Sequence, residues 1–436
     1  MIIKDNSYKD KASFSEIPKL TEKIAGKTLK QLEREGVFVF PEAVEKAEDI
    51  SDEQIILKRE NSGYKTGNIV GFLGLGEERL VIRSRFSGDN ENDDFFFQYL
   101  MERVVEFPNI VNLQTDADQD NSPFDFLLFL FPYYLKKAMR KGLFKTYIRR
   151  KYNDANVKGA VDIARHIKQN TPFVGKIAYS AREFSCDNSL IKLVRHTIEF
   201  IGGKSFGGNI LAKAKDEVRL VVEAAPKYQP HDRRRIIEQN KNDSVRHAYF
   251  REYRALQRLC LLILEHRKHR IGTGSKQIYG IIFDCAWLWE EYVNSLIGDK
   301  FYHPMNKSGK GAQWLFAGSA GLIYPDFIGR DSETGIIADA KYKPRDNICN
   351  RDYLQLLAYM LRFEAKAGYY LYPEAEGGND LTMRLNRGST YEENVMSRDD
   401  INITKHGLKI PADAADYNEF AARIKLYEQE FKAVFL

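Results

Sequence analysis

Two carboxylates and a lysine near the C-terminal third form the strongest chemical pattern in the chain. They lie in YPDFIGRDSETGIIADAKYKP, from Tyr324 to Pro344. A polar turn over Asp331 to Gly335 separates two stretches of strand character, so a hairpin is expected. Strand side chains alternate faces. In IIADAKYK that rule sends Asp339, Lys341 and Lys343 to one face and Ile336, Ala338, Ala340 and Tyr342 to the other. The second set is small and apolar enough to pack on a helix. A hairpin brings Asp326 beside Asp339. Converging carboxylates suit Mg²⁺, or Mn²⁺, which takes hard oxygen ligands and keeps several waters. A nearby ammonium offsets charge that develops on a phosphate. Metal-assisted phosphodiester hydrolysis is the chemistry these residue types fit. The alternative is a structural salt bridge on an exposed hairpin.

Other motifs carry less. Gly71, Gly74 and Gly76 lack the Gly-Lys-Ser/Thr ending of a phosphate loop, and Glu77 and Glu78 would repel phosphate. The chain itself is therefore expected to bind no nucleotide. His266 and His269 have no acidic or cysteine companion at metal-ligand spacing. Cys186, Cys260, Cys285 and Cys349 form no CxxC pair and read as free thiols of a reducing compartment. No nucleophile elbow of the Gly-x-Ser-x-Gly type is present.

The elements that must position the pattern follow from periodicity. Cys285, Leu288, Trp289, Tyr292, Val293 and Leu296 repeat at helical spacing just before the hairpin. Arg351 to Phe363 reads as a second amphipathic helix, Ala367 to Tyr372 as a strand stopped by Pro373, and Asp416 to Phe435 as a final helix. Gly63 to Phe86 has the glycine punctuation and alternation of a hairpin or small barrel. Val37 to Phe40 is a short apolar run ended by Pro41, and Asp94 to Val105 is closer to helical spacing. Residues 123 to 270 look mainly helical. Within them Lys136 to Lys151 holds eight cations and no acid, with Phe144, Tyr147 and Tyr152 interleaved or adjacent, and Arg233 to Arg270 is also basic. Each is either a phosphate-contacting stretch or a solvated helix face.

The 436 residues are 43% hydrophobic with a net charge of +5, enough for two or three domains and only weakly suggestive of a nucleic-acid partner. The start is polar, and the longest apolar run, Phe124 to Leu135, is too short to span a bilayer. A soluble, cytoplasmic protein with no membrane partner is expected. The expected fold is an α+β multidomain chain. It divides into a β-rich N-terminal domain over 1–120, a helical basic linker domain over 121–270 and a C-terminal α/β domain over 271–436.

Pro325-Asp326 with Asp339-Ala340-Lys341 resembles the signature of the PD-(D/E)XK restriction-endonuclease superfamily. That resemblance implies further site residues. Glu290 in LWEEYV would supply a third acidic ligand, with Glu291 competing, and Gln355 and Tyr359 in QLLAY match a Q-x-x-x-Y element. The series FDCAWLWEEYV, YPDFIGR, IIADAKYK, DYLQLLAYM and HGLKIP is similar to the McrC family and to the second subunit of LlaJI-type restriction systems. VKGAVDIARHI and REFSCDNSLIKLVRHTI resemble the linker region of that family. The resemblance implies an Mg²⁺-dependent endonuclease acting on double-stranded DNA in antiviral defence. It would assemble with a hexameric McrB-like AAA+ GTPase and stimulate it. Gly63 to Phe86 would then be the plug that meets the motor, with Arg79, Arg83 and Arg85 reaching a pore or nucleotide site; the alternative is a plain core hairpin. Two further functions stay open: a stand-alone endonuclease, and an adaptor that activates the motor without cutting.

Overall fold

A computed structural model describes the chain except residues 35–36, 41–54, 89–93, 106–121, 205–206, 227, 246, 270–277, 305–312, 332–334, 376, 388–395 and 436. Pro41 and the centre of the polar turn after Asp331 lie outside the described residues, as do the side chains of His266 and His269. The α+β, multidomain reading holds: strands dominate the N-terminal part, helices the middle, and the C-terminal part is mixed. The chain forms two compact units, one from residues 1–112 with 273–436 and one from residues 113–272.

The first unit contains the expected N-terminal and C-terminal domains together. Strand Tyr279–Asp284 pairs antiparallel with Ile69–Leu75 and parallel with Phe38–Phe40. The resulting five-stranded sheet runs Ile2–Lys4, Glu78–Arg83, Ile69–Leu75, Tyr279–Asp284, Phe38–Phe40. Leu73, Leu75, Leu80 and Ile82 are buried with Ile3, Leu20, Leu32 and Ile282. Each such side chain contributes about 1.5–3 kcal/mol through burial. The Gly63 to Phe86 region is thus largely a core hairpin, and its strands are sheet interior. Gly71 shows why glycine is needed there. Its φ is +146°, and a Cβ would stand 2.1 Å from the Ile281 carbonyl oxygen of the paired strand.

A six-stranded sheet in the same unit carries the Asp-x-Lys pattern. Its order is Phe301–Tyr302, Phe327–Gly329, Ile336–Ala340, Ala367–Glu374, Met396–Lys409, Leu381–Arg387. Ile336–Ala340 runs antiparallel to Phe327–Gly329 and parallel to Ala367–Glu374. Helix Asn350–Arg362 packs on this sheet through Leu356, Tyr359 and Met360, which meet Ile337, Tyr370 and Ile403. Gly368 permits that approach, because a Cβ there would lie 2.6 Å from the Met360 sulfur. Helix Cys285–Ile297 is capped by Asp284, whose Oδ1 accepts from the Trp287 amide. Trp289 from this helix is fully buried, and its indole N–H donates to the Leu371 carbonyl at 2.9 Å.

The second unit is mainly helical but not wholly so. Helices Ser122–Met139, Ser189–Gly202, Arg233–Asn242 and Glu252–His269 supply its core. The basic run after Lys136 splits between two elements. Its first residues end a helix at Met139, and its last belong to strand Thr146–Asp154. That strand pairs antiparallel with Ile177–Ser185, which also pairs with Ala160–Val161. The expected helix face over Lys145 to Lys151 is therefore a sheet. Among the described residues no helix is long and apolar enough to cross a membrane.

Candidate metal-dependent active site

Asp339 occupies the middle of the six-stranded sheet and its carboxylate is buried. The register pairs Asp339 with Tyr370 and Ile337 with Gly368, so Asp339 faces helix Asn350–Arg362. Asp326 immediately precedes strand Phe327–Gly329, and the pairing of Phe327 with Ala338 carries it opposite Asp339. Its Oδ2 accepts from the Ala340 amide at 2.9 Å. Lys341 follows the strand end, held by its amide to the Leu371 carbonyl at 2.8 Å.

The Lys341 ammonium lies 2.5 Å from Asp339 Oδ2. It also donates to Gln355 Oε1 at 3.3 Å, and the Gln355 amide donates to the Tyr359 hydroxyl at 2.7 Å. Asp339, Lys341, Gln355 and Tyr359 thus form one polar chain across the strand and helix. Gln355 and Tyr359 stand one helical turn apart, which aims both at the strand. Lys343 leaves this cluster: it pairs with Asp352 at 2.7 Å. Tyr342, on the opposite face, hydrogen-bonds Ser84 at 2.8 Å and lies under the Arg85 guanidinium. The strand end is therefore fixed from both sides.

The electrostatics are those of crowded carboxylates. Loss of solvent, then the charges of Glu290 and Asp339, hold the Asp326 carboxyl well above the usual carboxylate range. Burial works against the Lys341 ammonium, but Asp339 and Asp326 outweigh it and raise its pKa above the ordinary lysine value. Burial pushes the Tyr359 hydroxyl up to about 12. Glu290 acts on Asp326 through charge and also lies 3.7 Å from His303 Nε2.

His303 is a site residue that no spacing in the sequence announces. Its ring stacks on Phe327 at 4.9 Å. Nδ1 donates to the Asp326 carbonyl at 2.9 Å, and Nε2 sits between Glu290 and Glu291, 3.6 Å from the latter. Burial alone would lower its pKa; Glu291, the Asp326 carbonyl and Glu290 together turn it upward.

The fit of a divalent cation is tested by Asp339. Both its carboxylate oxygens are buried; among the described residues the Lys341 ammonium stands 2.5 Å from Oδ2, and Oδ1 accepts no hydrogen bond. Such oxygens carry a large desolvation cost unless a cation takes them. Among the described residues, no three His, Cys, Asp or Glu side chains are already gathered around a common point as metal ligands. A Mg²⁺ ion needs only one or two protein carboxylates, its other positions being water or substrate oxygen. Asp339 and Asp326 fit that smaller set.

A family model described as McrBC 5-methylcytosine restriction system component matches residues 64–373. The chain belongs to the McrBC restriction-system family. The match runs through the five-stranded sheet, the middle unit and the Asp326–Tyr359 cluster of this McrBC-family chain. Its fold is similar to a chain in a half-complex from the tetradecameric assembly of Thermococcus gammatolerans McrB AAA+ hexamers with bound McrC. The TM-score is 0.52 at 13% identity, over 100% of this chain and 99% of that one. A chain of the Thermococcus gammatolerans McrBC complex aligns with a TM-score of 0.34 and 14% identity, over 68% and 87%. No curated protein matches the sequence.

Proposed function

We propose that this chain is the DNA-cleaving subunit of an McrBC-type restriction system, with a PD-(D/E)XK endonuclease domain working beside an McrB-like AAA+ GTPase. The observation that carries the reading is the buried Asp339 carboxylate, whose Oδ1 accepts no hydrogen bond among the described residues, set beside Lys341 and Asp326. Asp339 and Asp326, with Glu290 at the edge, would hold Mg²⁺ or Mn²⁺. Bound there, the ion would supply Lewis acidity toward a phosphate oxygen and an acidified water.

The chain's own groups do the rest. Asp339 and Asp326 keep the Lys341 ammonium charged, and Gln355 fixes its direction. That ammonium offsets negative charge on the phosphate as the bond to the leaving oxygen lengthens. Tyr359 holds Gln355, and His303 holds the Asp326 backbone and the Glu290 side chain in reach. Family membership and the fold likeness to an McrB–McrC assembly support the partner.

The test is plasmid cleavage in Mg²⁺ by the chain with its AAA+ partner and GTP. Asp326→Ala and Lys341→Ala are expected to lose cleavage by at least about a hundredfold while keeping a folded circular-dichroism spectrum. EDTA is expected to stop the wild type, and Ca²⁺ to bind without turnover. Cutting that persists in excess chelator overturns the metal chemistry.

A further inference from the structure

We propose that one face of the three-stranded sheet in the middle unit docks a single nucleic-acid strand, with Tyr147 and Phe184 stacking bases and Arg149, Lys151 and Arg182 contacting phosphates. The idea rests on nucleic acid being the working substrate of the proposed function, and it assigns that substrate a second contact remote from the bond-breaking residues in sequence.

The two faces of this sheet differ in a way packing does not require. Period-two alternation in Thr146–Asp154 puts Ile148, Arg150, Tyr152 and Asp154 on one face. That face is internally settled. Arg150 pairs with Glu183 and with Asp187 at 3.1 Å, Tyr152 stacks on Tyr179 at 5.4 Å, and the Tyr179 hydroxyl reaches Asp154.

The other face carries Tyr147, Arg149 and Lys151 with Arg182 and Phe184 from the paired strand, and all five are exposed. Tyr147 is 63% exposed and Phe184 57%. Their rings meet at 5.1 Å, and the Arg182 guanidinium lies 5.4 Å over Tyr147. Arg149 donates to the Ser180 hydroxyl at 3.0 Å. Among the described residues none of the three cations has an acidic partner.

The register sharpens the contrast. Arg182 stands directly opposite Arg149, and Phe184 directly opposite Tyr147. Like charges opposite one another in a sheet destabilise it. The two aromatics pair across the strands, yet more than half of each stays in water. Both features become favourable against a strand that brings phosphates to the cations and unstacked bases to the rings. Exposed aromatics on a flat sheet flanked by arginine are how sequence-tolerant single-strand surfaces work. A duplex keeps its base faces inside the helix and leaves Tyr147 and Phe184 without a role.

The experiment is fluorescence anisotropy of the full chain in EDTA, so that the outcome is independent of whether Asp326 and Asp339 cut. The probes are labelled oligothymidylate, oligouridylate and a DNA duplex of equal length. Single strands are expected to bind more tightly than duplex, and the tighter of the two identifies the strand as DNA or RNA. Tyr147→Ala with Phe184→Ala is expected to weaken single-strand binding at least about tenfold. Lys151→Ala with Arg182→Ala is expected to reduce the slope of log affinity against log salt by roughly 1.4, about 0.7 per lost phosphate contact. Arg150→Ala, on the settled face, is expected to change affinity less than about twofold. All four replaced side chains of the test pairs are exposed, and Lys151→Glu with Arg182→Glu gives a second charge variant if either pair unfolds. Single-strand affinity indifferent to both pairs overturns the proposal, as does duplex preference that ignores the aromatic pair. So does an equal loss in Arg150→Ala. Absence of strand binding, with capture of an acidic protein lost in the charge variant, assigns the face to a protein instead.

Discussion

At the scale of residues, the first unit depends on charges that are buried only because they are paired. The Asp5 side chain is fully buried, and its carboxylate takes the Arg85 guanidinium in a bidentate contact of 2.6 to 3.2 Å. The same guanidinium also donates to Asn68 Oδ1. Arg85, offered by the sequence as a residue for a partner's nucleotide, is thus committed within its own fold. Asp5→Ala strands that cation and is expected to cost about 3–5 kcal/mol of stability. Chemical denaturation of the full chain measures it, and a loss below about 1 kcal/mol contradicts the pairing. The Asp326, Asp339 and Lys341 cluster was legible in sequence because its members are close in the chain and alternation assigns their faces. Asp5 and Arg85 lie 80 residues apart, and His303 stands at no diagnostic spacing from its neighbours Glu290 and Asp326. Contacts of that kind are set by tertiary packing and leave no local signal.

At the scale of elements, apolar spacing marks the amphipathic helices, whereas basic composition hides a strand. Helix Cys285–Ile297 follows from its apolar spacing and the Asp284 cap. Strand Thr146–Asp154 was hidden because a run of lysine and arginine masks the alternation of Tyr147, Arg149 and Lys151 with Ile148, Arg150 and Tyr152. Helix Ser189–Gly202 carries a titratable group whose effect has a defined sign. His196 is buried against Tyr228, its Nδ1 has no hydrogen bond among the described residues, and loss of solvent with Arg233 nearby lowers its pKa from 6.5 to about 4. A depressed folded pKa stabilises the neutral form. Its contribution is full above pH 6.5 and is lost as pH falls toward 4. The whole window amounts to at most roughly 3 kcal/mol. His196→Phe is expected to flatten the acid side of the stability profile between those values. An unchanged slope in the variant shows that other groups set it.

At the scale of the whole molecule, the expected division into three consecutive domains meets a unit built from both ends of the chain. Strand Tyr279–Asp284 has its neighbours at Ile69–Leu75 and Phe38–Phe40, and no periodicity in either segment could reveal that pairing. Deleting residues 1–112 therefore removes both flanking strands of the element that leads into helix Cys285–Ile297. The C-terminal sheet is expected to come apart in that fragment, and slow amide exchange retained over Ile336–Ala340 and Ala367–Glu374 would show that this sheet stands alone. The central claim is that Asp326, Asp339 and Lys341 cut DNA within a McrBC-type assembly. The most direct measurement compares wild type with Asp339→Ala in one plasmid-cleavage reaction containing the AAA+ partner, GTP and Mg²⁺, with GTP hydrolysis followed in parallel. Expected is loss of cleavage in the variant with GTPase stimulation retained; cleavage by Asp339→Ala at the wild-type rate would contradict the claim.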